Sequence, residues 1–577
     1  MNTAENIPMV LQRMALRHPD HAMIEYHGRI YTYGVMANWW NKVAEQIRHH
    51  PKIPPGPICV SGTWFPAMVA GYLAAMQAGR TCVGIAPDWP PDRIAAVVRE
   101  VRTAGFLTWD AGSAVTSSFG SLPVIPICDP DMASRPVGSP ASSSLENPVS
   151  HILLTSGSTG RSKLVPRRHL EVVQNEKRHA PLGLGPTDRV TLFTRGGYFD
   201  SIGNPYSAWL NGATIVAIDF ASGEEMLMRL SDMAPTVYYS FPTIWRHILR
   251  SKPEPRHLRS LRLVYLGGEK VEPSDLLACK SLLPPEAEVA SGLGCTETGL
   301  VSLGVWQAQA IPDCPVPSVG WPVDGVLVGI LDDSGANVQR GHIGELVVTS
   351  PYIFTGYLGQ TKSSSLDGAG ETYRTGDLAK ESDVGEIFLA GRADNQVKIR
   401  GYRIELEEID SRVRELPGVL DAATVVAPGP TGDELHLHIA PAGLTTVHVR
   451  EKLRESLPAQ FIPDQIHFHA SLPRTVNGKV DRNGLRVAAL APQSSSSEPS
   501  KELRDEVLRI WSRLVGPPPA LDSHFFEYGG NSIKAATLIA QLRRSRGVQF
   551  PLAYLMENPR LDEFATRCSE LEAECRK

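Results

Sequence analysis

Between Thr155 and Lys163 the chain reads T-S-G-S-T-G-R-S-K. Gly157 and Gly160 let the backbone bend and approach a ligand closely. Ser156, Ser158 and Thr159 supply hydroxyl donors, and Lys163 supplies a compact positive charge. Backbone N–H groups, hydroxyls and a cation together suit a chain of phosphates. The same composition also suits a flexible surface turn. The stretch is not the G-x-x-x-x-G-K-[ST] phosphate loop, because Arg161 follows Gly160 where a lysine is needed. Nor is it G-x-G-x-x-G. Phosphate, if held here, is held in a third way.

The elements that must position this loop belong to a long chain of ordinary composition. At 577 residues, and about 150 residues per domain, several domains are expected. Apolar residues make up 42%, charged residues 21%, and the net charge is −5. Nothing in that balance favours nucleic acid or an anionic membrane as a partner. The eight cysteines contain no C-x-x-C pair, which argues against a zinc or redox motif. Their scatter fits reduced thiols, and a cytoplasmic location is expected. The first twenty residues lack an apolar signal-peptide core, and no apolar run reaches transmembrane length.

A Ser/Pro tract, Ala491 to Ser500, reads as a linker. After it, Leu503, Val507, Ile510 and Leu514 recur at helical spacing, as do Ile533, Ala536, Leu538, Ile539 and Leu542. This last segment is expected to be a small helical bundle. Before the linker, β-rich runs (Thr214 to Ile218, Leu263 to Leu266, Gly325 to Leu331, Leu346 to Val348) alternate with helical patterns such as Pro91 to Ala104. That alternation predicts a mixed α/β fold. A further boundary is expected near Gly391–Asp394, followed by a strand from Val397 to Gly401 and a helix from Ile404 to Val413.

Taken in chain order, several stretches resemble the adenylate-forming superfamily. They are Ala70–Gly79 with Pro87–Arg93, Thr155–Lys163, Gly294–Thr298, Gly344–Leu346, Thr355–Leu358, Tyr373–Leu378, Gly391–Leu406 and Asn477–Arg482. The likeness is greatest to adenylation domains of non-ribosomal peptide synthetases and covers nearly all of residues 20–485. Phe525–Lys534 resembles the attachment site of a carrier protein. The resemblance implies a large α/β subdomain over 1–392, a small mobile α+β subdomain over 393–488, a linker over 489–500, and an all-α four-helix carrier over 501–577.

It also implies roles. ATP activates a carboxylate as an acyl-adenylate and pyrophosphate leaves, a step that needs in-line positioning and charge neutralisation. Thr155, Ser156, Gly157, Ser158, Thr159, Gly160 and Lys163 would hold the β- and γ-phosphates. Thr296 would touch the α-phosphate, and Glu297 would bind Mg2+, which prefers hard oxygen ligands. Asp377 would accept from the ribose hydroxyls, and Arg392 would contact the nucleotide. Gly268, Gly292, Leu293 and Gly294 would line the adenine site. Lys479 would reach the carboxylate and the ribose–phosphate oxygens. Asp394 would be the hinge about which the small subdomain turns between adenylation and thioester formation. Ser532 would carry 4'-phosphopantetheine, whose thiol accepts the acyl group.

In amino-acid-activating members an aspartate pairs with the substrate ammonium, and Asp200 is its counterpart here. The spacing back from Asn211–Ala213 is one residue short of the family pattern, so that contact stays open. The remaining pocket positions are Gly203, Tyr239, Tyr265, Gly267, Gly292, Leu300 and Val301. They hold no second charge, which disfavours charged side chains and points to a small or branched aliphatic amino acid. Further departures are Leu154 before the loop, Ser162-Lys163-Leu164 at its end, Leu293 in place of a stacking tyrosine, and Cys295 in place of proline.

The partners implied are a phosphopantetheinyl transferase and a condensation, tailoring or release enzyme acting in trans. The sequence holds neither H-H-x-x-x-D-G nor G-x-S-x-G. Two alternatives stay open. One is loading of an aryl or fatty acid, and the other is a non-catalytic carrier or scaffold.

Overall fold

A computed structural model of the chain describes residues 6–486 and 502–568 except 88, 110–121, 131, 133–148, 156–162, 195–204, 220, 312–316, 333, 360–369, 394–395, 400–401, 430–431, 442–443, 470, 474–479, 483, 517–522, 527, 547–549, 551, 553–554, 556–559, 562–563 and 566–567. Two large sheets form the first part of the fold. The six-stranded one runs Val124–Pro126, Gly105–Thr108, Ile58–Ser61, Cys82–Gly84, Val149–Thr155, Lys163–Arg168. Its pairings are parallel except the last, where Lys163–Arg168 folds back antiparallel on Val149–Thr155. Helices Phe65–Gln77 and Pro91–Glu100 make the crossovers between parallel strands.

The nine-stranded sheet has Arg189–Thr194, Thr214–Asp219, Val237–Ser240, Leu263–Gly267 and Glu288–Cys295 as parallel neighbours at its centre. Gly299–Gln307 closes it with an antiparallel hairpin after Glu288–Cys295. Leu263–Gly267 is buried at every position, as expected of a parallel strand covered on both faces. Helix Phe65–Gln77 is buried all round. A Cβ at Gly71 would lie 2.8 Å from Val60 Cγ1, so this glycine lets the helix press onto the sheet.

A four-stranded antiparallel sheet follows (Leu327–Leu331, Gly344–Ser350, Glu371–Glu381, Ile387–Arg392). Next come the hairpin Gln396–Ile399/Tyr402–Glu405, helix Leu406–Arg414, and a three-stranded sheet of Asp421–Gly429, Gly432–Ala440 and Gln465–Phe468. In the last segment, helices Glu502–Val515 and Ser532–Arg546 close around Val507, Trp511, Leu514, Phe525, Leu538 and Phe564.

Three expectations change. The Pro91 helix stops at Glu100 rather than running to Ala104, because Arg102 turns to φ 53°. The 325–331 strand starts at Leu327, since Gly325 lies at φ 72°. The strand-then-helix unit after 397 is a two-stranded hairpin, and its helix begins at Leu406. Val397, Ile399, Tyr402 and Ile404 share one apolar face of the hairpin, with Val397 opposite Ile404 and Ile399 opposite Tyr402, and two residues between the strands are few enough to pair them.

Buried histidines set an acid limit on this fold. Burial pushes His151 and His438 down to about 3, and His169, His179, His247 and His467 to about 4. An unfolded histidine takes up its proton near about 6.5. These groups therefore favour the fold fully above that pH, and the advantage is lost as pH falls towards their folded values. The urea midpoint is expected to drop clearly between about pH 7.5 and about pH 5. An unchanged midpoint would show that these imidazoles are hydrated in the fold.

Candidate active site

The Thr155–Lys163 stretch begins and ends on two strands that pair with each other. Thr155 and Lys163 face each other across the Val149–Thr155/Lys163–Arg168 ladder. Ser156, Gly157, Ser158, Thr159 and Gly160 lie outside the described residues. Thr155 Oγ1 is buried and has no hydrogen-bond partner among the described residues. A buried hydroxyl left so is costly, and a phosphate oxygen is a group that would satisfy it.

Lys163 and Glu297 converge on one ring. Lys163 Nζ lies 5.4 Å from the centre of the Tyr357 ring and 4.0 Å from Glu405 Oε1. The Tyr357 hydroxyl donates to Glu297 Oε1 at 3.0 Å. Burial, then Glu297, holds this phenol above its ordinary range, so it stays a donor. Glu297 is 0% exposed, a carboxylate fixed in a dry place. A hard cation shared with substrate phosphates commonly takes one such protein carboxylate, so Glu297 fits Mg2+.

The turn around Thr296 is gripped from behind. Arg167 Nη1 donates to Thr296 O at 2.5 Å. Arg178 Nη1 donates to Thr298 O and Leu300 O, both at 3.1 Å, and its Nη2 donates to Ser350 Oγ at 2.7 Å. Asn175 Oδ1 accepts from Leu300 N at 2.7 Å. Arg167 is itself paired with Glu171 at 3.4 Å. Burial lowers Arg178 to about 10, which leaves it charged at neutral pH. All these groups sit on the strand and helix directly after the phosphate loop.

Asp377 and Arg392 are cross-strand neighbours, joined at 2.6 Å between Oδ1 and Nη1. The pair fixes the carboxylate that the resemblance assigns to the ribose. Gly268 is at φ 79°, and a Cβ there would lie 2.5 Å from Phe241 Cε1, so this ring also demands glycine. Leu293 packs with Val319, Ile330, Leu346, Ala379 and Ile387. Lys398 Nζ, from the 396–405 hairpin, donates to Gly294 O at 3.2 Å.

In the specificity pocket the rings of Tyr239 and Tyr265 stack at 4.3 Å with 10° between planes. A Cβ at Gly267 would lie 2.7 Å from Tyr265 Cε1, and one at Gly292 2.7 Å from Tyr265 Oη. A glycine carries no side chain and by itself would leave a pocket position open. Gly267 and Gly292 instead make room for the Tyr265 ring. Behind it sit His179, its ring 6.4 Å from that of Tyr265, and buried Glu176, which is 3.5 Å from His179. Burial and Glu176 raise both phenols, Tyr265 to about 12. A second buried acid therefore lies near a pocket that the sequence reading left uncharged. Leu300 and Val301 are buried beside it on strand Gly299–Gln307.

Asp200, Gly203, Asp394 and Lys479 lie outside the described residues. Ser532 is the first residue of helix Ser532–Arg546. Sequence reasoning missed Arg167, Arg178, Asn175, Glu176, Phe241 and Lys398. Tyr357 lay in a quoted motif but without a role. Among the described residues, no helix is long and apolar enough to cross a membrane.

Residues 11–358 match the AMP-binding enzyme family. The chain belongs to that family. Residues 505–568 of this AMP-binding enzyme match a phosphopantetheine attachment site. Its homologues include the dimodular nonribosomal peptide synthase of Bacillus subtilis (strain 168), 29% identical over 88% of this chain and 22% of that protein. Tyrocidine synthase 3 of Brevibacillus parabrevis is 26% identical over 98% of this chain and 9% of that protein. The AMP-binding enzyme thus spans about a fifth or less of these relatives. Its fold is that of an adenylation–carrier didomain. The solved structure of holo-PA1221, an NRPS protein containing adenylation and PCP domains bound to a vinylsulfonamide inhibitor, matches with TM-score 0.78 over 99% of this chain and 98% of that one, at 22% identity.

The turn at Gly299 gives a direct test. Gly299 is at φ 68°, and an added Cβ would fall 2.2 Å from Asn175 Oδ1, the acceptor for Leu300 N. Gly299→Ala is expected to destabilise the protein by roughly 1–3 kcal/mol, read from the urea midpoint. A wild-type midpoint would mean that the turn is not gripped as described.

Proposed function

We propose that this protein activates an amino acid with ATP as the aminoacyl-adenylate, releasing pyrophosphate, and loads it onto the arm at Ser532 of its own carrier. The observation that carries this reading is the convergence of Lys163 and Glu297 on Tyr357. There a cation suited to phosphate, partly open to solvent, and a buried carboxylate suited to a metal lie on either side of one ring. Lys163 and the hairpin loop neutralise the departing pyrophosphate. Glu297 would hold Mg2+, which supplies further neutralisation of the phosphates. Asp377, held by Arg392, fixes the ribose.

The second half-reaction belongs to the small unit, with boundaries proposed at 393 and 488 and a linker over 489–500. Its 396–405 hairpin reaches Gly294 and Lys163. Arg482, three residues past Lys479 in the chain, donates from Nη2 to Asp410 Oδ2 at 2.6 Å, on the body of the small unit. Turning about Asp394 would exchange one face for the other. The arm on Ser532 supplies the thiol that takes the acyl group. Ser532 opens a helix, with Gly529 at φ 94° three residues before it, so the chain delivers this residue at a turn. A tethered carrier raises the effective concentration of that thiol.

The substrate is proposed to be a small or branched aliphatic amino acid, its ammonium held by Asp200. The Tyr265 ring over Gly267 and Gly292 supports a shallow pocket. A phosphopantetheinyl transferase and a downstream enzyme acting in trans are the proposed partners, and the cytoplasm the proposed location.

The test is the intact mass of the holo protein after incubation with ATP, Mg2+ and a pool of amino acids. An arm at Ser532 plus an ATP-dependent increment is expected, and the increment weighs the substrate. Ser532→Ala should lose both. Lys479→Ala should slow adenylate formation by roughly a hundredfold or more, and wild-type rates in this variant would refute its role. Asp200→Ala should lose the amino acid, whereas an acid without an amine would be spared. Tyr265→Ala should shift preference to larger side chains, read by competition within the pool.

A further inference from the structure

The carrier meets the small unit through a buried charge that neither half-reaction uses. Lys534, two residues past Ser532, is 0% exposed. Its Nζ lies 3.0 Å from Glu434 Oε1, on strand Gly432–Ala440 of the small unit, and 3.5 Å from Asp464 Oδ1, just before strand Gln465–Phe468, both 3% exposed. The same Nζ donates to Gly529 O at 3.2 Å, within the carrier. Asn531 Nδ2 donates to Asp464 Oδ1 at 3.2 Å. Arg454 Nη2 donates to Phe526 O at 2.5 Å.

Backbone shape adds a second condition. Gly529 is at φ 94°, and a Cβ there would lie 2.1 Å from Asp464 O and 2.9 Å from Arg450 Nη2. Any side chain at this position would strike the small unit's backbone. The other charged groups nearby are accounted for. Arg450 Nη2 donates to Asp464 O at 2.7 Å, Asp464 Oδ2 accepts from Leu435 N at 2.9 Å, and His436 Nε2 is 3.8 Å from Glu434 Oε2.

We propose that Glu434 and Asp464 are the positions by which this enzyme selects its carrier, and that they read a lysine two residues after the attachment serine and a glycine three residues before it. This rests on the loading reaction proposed above. A buried ion pair adds little net stability, because desolvation offsets the attraction. Its value lies in what it refuses. A carrier without the lysine would remove the ammonium 3.0 Å from Glu434 Oε1 and leave that buried oxygen facing no cation, which is costly. Discrimination by an unpaired charge is the usual means of excluding a wrong partner. The occupant is this chain's own 501–577 segment, and a carrier with the same lysine and glycine would be accepted in its place.

The test uses full-length holo protein with ATP, Mg2+ and the amino acid pool. Three readings are taken: arm attachment by mass, pyrophosphate release for adenylate formation, and the single-turnover rate of thioester loading. Glu434→Lys and Lys534→Glu are each expected to slow loading by roughly tenfold or more, with adenylate formation unchanged. The reversed pair E434K/K534E should load faster than either single variant, which a general loss of packing would not produce. Loading by Glu434→Lys at the wild-type rate would overturn the proposal, as would a reversed pair no faster than the slower single variant. If Lys534→Glu fails to take the arm, its carrier is misfolded. Glu434→Lys and Glu434→Gln then decide, because they leave the carrier unaltered, and a graded loss is expected. A wild-type protein that releases no pyrophosphate would instead sink the loading reaction itself.

Discussion

Two buried guanidiniums hold this site together. Arg167 and Arg178 reach from the strand and helix that follow the phosphate loop to the carbonyls of Thr296, Thr298 and Leu300. Through them the phosphate-loop hairpin of one sheet and the 294–300 turn of the other become one rigid frame. Neither arginine needs to touch a substrate to matter. Each donates to backbone carbonyls of that turn, and buried acceptors left unmet are costly. The spacing between Lys163 and Glu297 depends on that grip.

Rigidity on one side permits motion on the other. The small unit contacts the frame through a few polar points, Lys398 to Gly294 O and Glu405 to Lys163. Arg93, stacked on Trp89 at 4.9 Å and facing the Phe461 ring at 5.8 Å, adds a cation–π contact across the same divide. Contacts of this kind are broken and remade at modest cost, as the alternating mechanism proposed above would require. The carrier is different, because its lysine is fully desolvated against the small unit. The carrier and the small unit are thus suited to travel together while the frame stays still.

Much of the fold was legible. Strands such as Thr214–Asp219 and Leu263–Gly267 announce themselves as unbroken apolar runs, since a parallel strand between helices is buried on both faces. The two carrier helices showed in the spacing of Val507, Leu514, Leu538 and Leu542, because an amphipathic helix must bury one stripe. The 396–405 hairpin was half seen. Its first strand was read, but its second was merged with the helix from Leu406, since Ile404 and Leu406 fit either period.

Residue types and order, with the resemblance they carry, put forward the chemistry on offer: a hydroxyl- and glycine-rich stretch ending in Lys163, an acid at Glu297, a carboxylate at Asp377, and Ser532 as the proposed attachment serine. These are local features, written in contiguous residues. Only tertiary structure decided which groups meet. Tyr357 reaches Glu297 across 60 residues, Arg178 reaches Leu300 across 122, and Asn531 reaches Asp464 across 67. Gly267 and Gly292 read as open space until the Tyr265 ring is seen to fill it. A motif states what a side chain can do. Whether a buried charge finds its partner depends on where the chain returns in space, and no local pattern encodes that return.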